Sequence, residues 1–242
     1  MAETVVLLHG FAGTRDAWDL VADRLDPERY RPLALDLRGH GDARAARPIT
    51  FAGCVADVAA AAPDRFVLCG YSMGGRVALH LALAHPERVS RLVLVACSPG
   101  IEDPRLRAER RAADEQLAAD AERGTIEAFA DLWMRRPLFA GTPPAAAARW
   151  REDLLRNDPV ALAAVLRGIG AGVMEPLWER LGELRGIPGT IIAGERDGRY
   201  TAIGRRIAAE LPGSRMLVVP GAGHGLPREA PQAVAAAITT AD

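Results

Sequence analysis

The chain has 242 residues, 49% of them hydrophobic and 25% charged, which is enough apolar material for one large α/β domain or two small ones. A formal net charge of −1 creates no overall field that would draw the molecule to nucleic acid or to an anionic membrane, and no apolar run approaches the roughly 20 residues needed to span a bilayer. Every Lys-or-Arg position is arginine, so a single arginine carries little signal by itself.

Thr4-Val5-Val6-Leu7-Leu8 is a continuous apolar run, the signature of a strand buried on both faces. Met1 leads into it within a few residues, which predicts no leader peptide. His9-Gly10-Phe11-Ala12-Gly13-Thr14 reads as a turn, and Asp16 to Leu25 as a helix carrying Trp18, Leu20, Val21 and Leu25. Arg31 to Leu35 predicts a second strand, followed by the loop Arg38-Gly39-His40-Gly41. Thr50 can cap a helix that runs to about Ala62, where Pro63 ends it. Phe66 to Cys69 predicts a third strand, and the long apolar-rich run from Met73 a helix that stops near His85-Pro86. Arg91 to Ala96 is the fourth strand. Strands alternating with helices at this spacing imply parallel pairing through right-handed crossovers.

That alternation then breaks. From Ile101 to about Val173 no strand is predicted; Arg105 to Arg123, Thr125 to Arg135, Pro144 to Arg156 and Pro159 to Ile169 read as helices. Residues 101–173 are therefore expected to form a helical lid inserted into a core of residues 1–100 and 174–242. Pro176 to Leu184 predicts a helix returning to the sheet, Thr190 to Ala193 a fifth strand, Tyr200 to Leu211 a helix, Met216 to Val219 a sixth strand, and a last helix follows Pro231. Cys54, Cys69 and Cys97 are odd in number and widely spaced, which argues against a disulfide framework or a zinc site. Neither a metal nor a cofactor is expected, and a soluble, cytoplasmic protein is.

The chemistry concentrates where the third strand ends. Gly70-Tyr71-Ser72-Met73-Gly74 fits G-x-S-x-G at a strand-to-helix corner, where the neighbours of the serine must lack a Cβ for the backbones to approach closely. A serine hydroxyl is inert unless a neighbour takes its proton. The partner should be a histidine at the carboxyl end of the sheet, oriented by a carboxylate. His224 follows the sixth strand and Asp197 the fifth; Glu195 is the nearest rival to Asp197, with Asp36 and Asp103 further behind. His80 and His85 fall on the helix after Ser72, His40 in a glycine turn, and His9 is read as a loop brace. The backbone N–H groups of Phe11 and Met73 are the expected oxyanion donors, each stabilising developing charge by roughly 3–4 kcal/mol. Arg76, one helical turn beyond Ser72, can rise beside it.

With that motif, the chain order Ser72, Asp197, His224 and the turn His9-Gly10-Phe11, the sequence resembles the α/β-hydrolase superfamily from end to end. The resemblance implies an α/β-hydrolase fold: a mostly parallel sheet of about six strands, ordered 2-1-3-4-5-6, with helices on both faces and a helical lid. The stretches Leu8-His9-Gly10-Phe11-Ala12-Gly13, Gly70 to Arg76, Arg107-Ala108-Glu109-Arg110, Phe129-Ala130-Asp131-Leu132-Trp133, Gly194-Glu195-Arg196-Asp197 and Ala222-Gly223-His224 are similar to the 2-succinyl-6-hydroxy-2,4-cyclohexadiene-1-carboxylate synthase family of menaquinone biosynthesis. This implies a cofactor-independent lyase that eliminates pyruvate from an enolpyruvyl cyclohexene carboxylate, its serine acting as a base. It also implies that Arg76, Arg110 and Arg156 bind a small polycarboxylate substrate and that Tyr71 and Trp133 line the pocket. The alternative is a serine hydrolase (a carboxylesterase, thioesterase or C–C hydrolase) acting on a small acyl substrate with the same three residues. A monomer or small homo-oligomer is expected either way.

Overall fold

Alternation inside the apolar runs decides the two faces of the sheet. In the computed structural model, which describes residues 2–240, the strands are β1 (Glu3–Leu8), β2 (Tyr30–Leu35), β3 (Phe66–Tyr71), β4 (Val89–Val95), β5 (Gly189–Gly194) and β6 (Ser214–Val219). They pair in parallel in the order β2-β1-β3-β4-β5-β6, as expected. Val6, Leu8, Phe66, Leu68, Leu92 and Leu94 enter one core, while Val5, Leu7, Val67, Cys69, Val93 and Val95 enter the other, because successive side chains of a strand leave on opposite faces. The edge strands β2 and β6 are only partly buried. Pro32 lies in β2, where a missing N–H can be tolerated on the side away from the ladder.

The helices are α1 (Asp19–Ala22), α2 (Phe51–Ala61), α3 (Met73–Ala84), α4 (Pro104–Arg123), α5 (Ile126–Met134), α6 (Pro144–Leu154), α7 (Pro159–Ile169), α8 (Gly198–Glu210), α9 (Leu226–Glu229) and α10 (Pro231–Thr239). Residues of α2, α3 and α8 fill the first core; residues of α1 and α10 fill the second. Helices α4 to α7 interrupt the β/α alternation between β4 and β5. They build a third core from Leu117, Phe129, Ala130, Trp133, Leu154, Leu162 and Leu166, which closes on Ala12 in the turn after β1. Side chains cap five of the expected helices: Thr50 accepts from Gly53 N, Asp103 from Arg105 N and Leu106 N, Thr125 from Ala128 N, Asp158 from Ala161 N, and Asp197 from Tyr200 N, each satisfying an N–H that the first turn leaves unpaired. No helix among the described residues is long and apolar enough to cross a membrane.

Two expected helices differ. Residues 16–25 are not one helix but a 3₁₀ turn, Arg15–Trp18, followed by the short α1. The reason is Thr14, whose hydroxyl caps the 3₁₀ turn and is itself held by Asp153. The segment before β5 is likewise 3₁₀, over Trp178–Leu184. Its buried residues are Trp178, Leu181 and Leu184, a spacing of three that matches three residues per turn better than 3.6.

Candidate active site

β3 ends at Tyr71 and α3 begins at Met73, so Ser72 must reverse the chain alone. It does so at φ 51° and ψ −109°, a region that non-glycine residues occupy only when their surroundings enforce it. The enforcement is steric. A Cβ on Gly74 would lie 2.2 Å from the Leu8 carbonyl oxygen, and one on Gly70 would lie 2.4 Å from that of Gly74. With both absent, α3 starts close against β1 and β3, and the Ser72 N–H donates to Val95 O at 2.8 Å.

His224 and Asp197 reach the same point from the ends of β6 and β5. The two loops are stitched together by the Arg196 N–H donating to Ala222 O at 2.9 Å and the Glu195 N–H donating to Val219 O at 3.0 Å. His224 Nδ1 lies 2.6 Å from Asp197 Oδ2, and its Nε2 lies 3.1 Å from Ser72 Oγ. Both the imidazole and the carboxylate are nearly inaccessible, at 2% and 8% side-chain exposure. An ionised carboxylate only accepts, so Nδ1 carries the proton and Nε2 is left to accept from the serine. Asp197 also caps α8 by accepting from Tyr200 N. Glu195, its rival, accepts instead from the Gly221 N–H at 2.9 Å and faces solvent.

The turn after β1 is held on three sides. His40 Nε2 accepts from Ala12 N at 3.2 Å, Asn157 Nδ2 donates to Ala12 O at 3.1 Å, and Asp153 accepts from Thr14 N at 3.1 Å. His9, buried beneath it, accepts from Leu37 N at 3.0 Å, which is the bracing role its position suggests. Burial pushes the pKa of both histidines down, and for His40 the neighbouring His9 adds to this. Phe11 and Met73 line the Ser72 cavity, and among the described residues neither backbone N–H meets a protein acceptor.

That cavity has a volume of about 480 Å³. Tyr71, Trp133, Trp150 and Tyr200 line it, together with Ser72, His224 and Asp197. The Tyr200 and Tyr71 rings lie 4.6 and 5.4 Å from that of His224, and Trp133 meets Phe11 edge to face at 4.9 Å. Five arginines contribute to the wall: Arg76, Arg110, Arg136, Arg196 and Arg199. Arg76 is buried and donates to Ile169 O at 2.9 Å. Arg110 donates to Asp114 Oδ1 at 2.8 Å. Burial, and then the charge of Arg110, lowers the pKa of Arg136; the same two causes act on Arg76.

Arg156 is a correction. It is half-exposed, pairs with Asp16, and lines a separate surface cleft with Arg15, Asp36 and Asp42. Helix α6 stops at Leu154, and Asp153 and Asn157 are the residues turned inward onto the turn after β1; Arg156, between them, points out.

Two contributors escape a reading of the sequence. Arg136 takes the place in the cavity wall expected of Arg156, and in a chain whose bases are all arginine nothing distinguishes it from Arg135. Glu229 accepts from Gly223 N at 2.7 Å and Gly225 N at 3.0 Å and pairs with Arg196 at 3.0 Å, so a carboxylate five residues past His224 clamps the loop on either side of it. The three cysteines are free and buried. Burial raises the thiol pKa of Cys54 to about 11 and that of Cys97 to about 12, leaving no reactive thiolate there at neutral pH.

Comparison with known proteins covers nearly the whole chain. The family model described as "Alpha/beta hydrolase family" matches residues 5–237. A Bacillus subtilis chain provisionally named 2-succinyl-6-hydroxy-2,4-cyclohexadiene-1-carboxylate synthase is 36% identical over 241 residues, covering 96% of this chain and 87% of that one. A synthase of the same name from an Enterobacter species is 34% identical, covering 97% and 89%. Among solved structures, MenH from S. aureus superimposes with a TM-score of 0.90 at 29% identity, covering 96% of this chain and 90% of the other. From β1 to α10, then, the chain belongs to the alpha/beta hydrolase family, beside the 2-succinyl-6-hydroxy-2,4-cyclohexadiene-1-carboxylate synthases.

Proposed function

We propose that this protein is a lyase that eliminates pyruvate from an enolpyruvyl cyclohexene bearing a succinyl group and a ring carboxylate, without a cofactor. The observation that carries the reading is the shared cavity: Ser72, already hydrogen-bonded to His224, opens into the space that Arg76 and Arg110 line. Guanidinium groups suit carboxylates because their N–H groups match the two oxygens. The named relatives supply the identity of the substrate.

In this reading the ring lies over Ser72 with a carboxylate on Arg76. Ser72 Oγ removes the ring proton next to the succinyl ketone as its own proton passes to His224 Nε2. Asp197 stabilises the imidazolium that forms. The electron pair left on carbon delocalises onto the ketone oxygen, which the Phe11 and Met73 N–H groups receive. When that charge returns through the conjugated ring, the carbon–oxygen bond to the enolpyruvyl group breaks. Enolpyruvate leaves, takes up the proton and becomes pyruvate. No covalent bond to Ser72 forms. A soluble polyanionic substrate and three free thiols suit the cytoplasm.

The test supplies the enolpyruvyl compound and follows pyruvate with a coupled dehydrogenase. Rapid release abolished by Ser72→Ala supports the reading. No release, together with brisk hydrolysis of aryl esters and an acyl-enzyme seen by mass, would replace it with a serine hydrolase using the same three residues.

A further inference from the structure

Of the five cavity arginines, Arg136 is the one that is partly buried, has no task in the elimination as described, and among the described residues has no protein acceptor for its side chain. It follows α5 and precedes the 3₁₀ turn Pro137–Phe139. Its guanidinium lies 4.9 Å from the centre of the Trp133 ring and borders the cavity that Ser72 opens into. Arg76 and Arg110 already donate to protein oxygens. Arg196, on the far wall, is held by Gly141 O and Glu229, and Arg199 is exposed at the mouth. Among the described residues, no carboxylate or carbonyl accepts from the Arg136 side chain. A partly buried guanidinium costs free energy when its donors are idle, and one seated on an indole face has a fixed plane and free edges. That combination is a carboxylate receptor.

Its position says which carboxylate. Arg76 rises one turn beyond Ser72 on α3 and stands beside the reacting ring. Arg136 lies past the end of α5, in the helical insertion, and lines the same cavity as Arg76 and Arg110. Resting on the function proposed above, the group that must reach furthest from the ring is the free end of the succinyl chain. We propose that Arg136 binds the terminal carboxylate of that chain and thereby sets the enzyme's preference for it. Trp133 carries the cation over its ring and is itself packed against Phe11.

The experiment needs no turnover. Wild type, Arg136→Gln and Arg136→Met, the last keeping the apolar stem over Trp133, are titrated calorimetrically with two stable aromatic analogues. 2-Succinylbenzoate carries both carboxylates; 2-butanoylbenzoate has a methyl group in place of the chain carboxylate. Both substitutions are expected to weaken 2-succinylbenzoate at least about tenfold and 2-butanoylbenzoate by less than about twofold. Equal loss for both ligands marks a packing role and overturns the proposal. So does no loss for either, or a wild type that fails to favour the dianion. The underlying reading fails separately: if wild type releases no pyruvate while this discrimination persists, the lyase falls and the anion site stands.

Discussion

At the scale of single residues, Ser72 pairs an unfavourable backbone conformation with a directed hydroxyl. Ser72→Ala preserves the turn and removes only the oxygen, so kcat for pyruvate release is expected to drop by about 10³ or more with little change in KM, measured under saturating substrate. The buried pair His9 and His40 gives a second outcome. Their folded-state pKa values lie below the ordinary histidine value, so the unfolded chain binds more protons than the native one once the pH falls below about 6.5. Stability is therefore full above that pH and declines as acid is added, by up to about 1.4 kcal/mol per pH unit for each of the two. Urea melts of wild type and His40→Gln between pH 7 and pH 5 should show a shallower decline in the variant; equal slopes would exclude His40 as a source. Residues of this kind differed in how visible they were. Ser72, Asp197 and His224 each follow a recognisable strand, and strand ends meet at one edge of a parallel sheet. Arg136 and Arg156 sit in a helical segment where exit direction depends on where α5 and α6 stop and which neighbours turn inward, and no short-range pattern encodes that.

Among elements, the corner between β3 and α3 and the loop after β6 control how well the site is assembled. Gly74→Ala would drive a methyl group into the backbone of Leu8 and His9, with no flexible side chain to yield. An overpacking cost of about 1–3 kcal/mol should lower the melting temperature by roughly 3–10 °C, as scanning calorimetry can report. Glu229→Ala acts differently. It leaves the Gly223 and Gly225 N–H groups without their acceptor and Arg196 with Gly141 O alone, at about 1–3 kcal/mol for a buried unsatisfied group. Since these flank His224, kcat should fall about tenfold or more while KM moves less, and Glu229→Gln, which can still accept, should recover part of it. Capped helices and buried strands could be read in the sequence because their signals are local. The two 3₁₀ segments could not, since the hydrogen bond from Thr14 to Asp153 spans 139 positions and a spacing of three over one short stretch resembles an α-helix.

For the molecule as a whole, a net charge of −1 supplies no long-range field to draw in an anion, so in the function proposed above the attraction lies inside the cavity. Added salt screens exposed charges more than buried ones, so between about 0.02 and 0.5 M sodium chloride kcat/KM should fall by less than about tenfold. A steeper loss would point to surface steering. Sheet order and the helical interruption were legible throughout, because β/α alternation and its break extend over tens of residues; what the interruption touches was not. Asn157 bridges Ala12 O and the Gly41 N–H, and Asp153 reaches Thr14 and Arg228, which makes these two side chains the mortar between the cap and the floor of the barrelless sheet. Chimeras exchanging caps among relatives should therefore respect a boundary that helix ends alone do not reveal. A transplant that discards positions 153 and 157 would inherit a foreign roof and lose the scaffold under Phe11, whereas one that stops short of them would keep it.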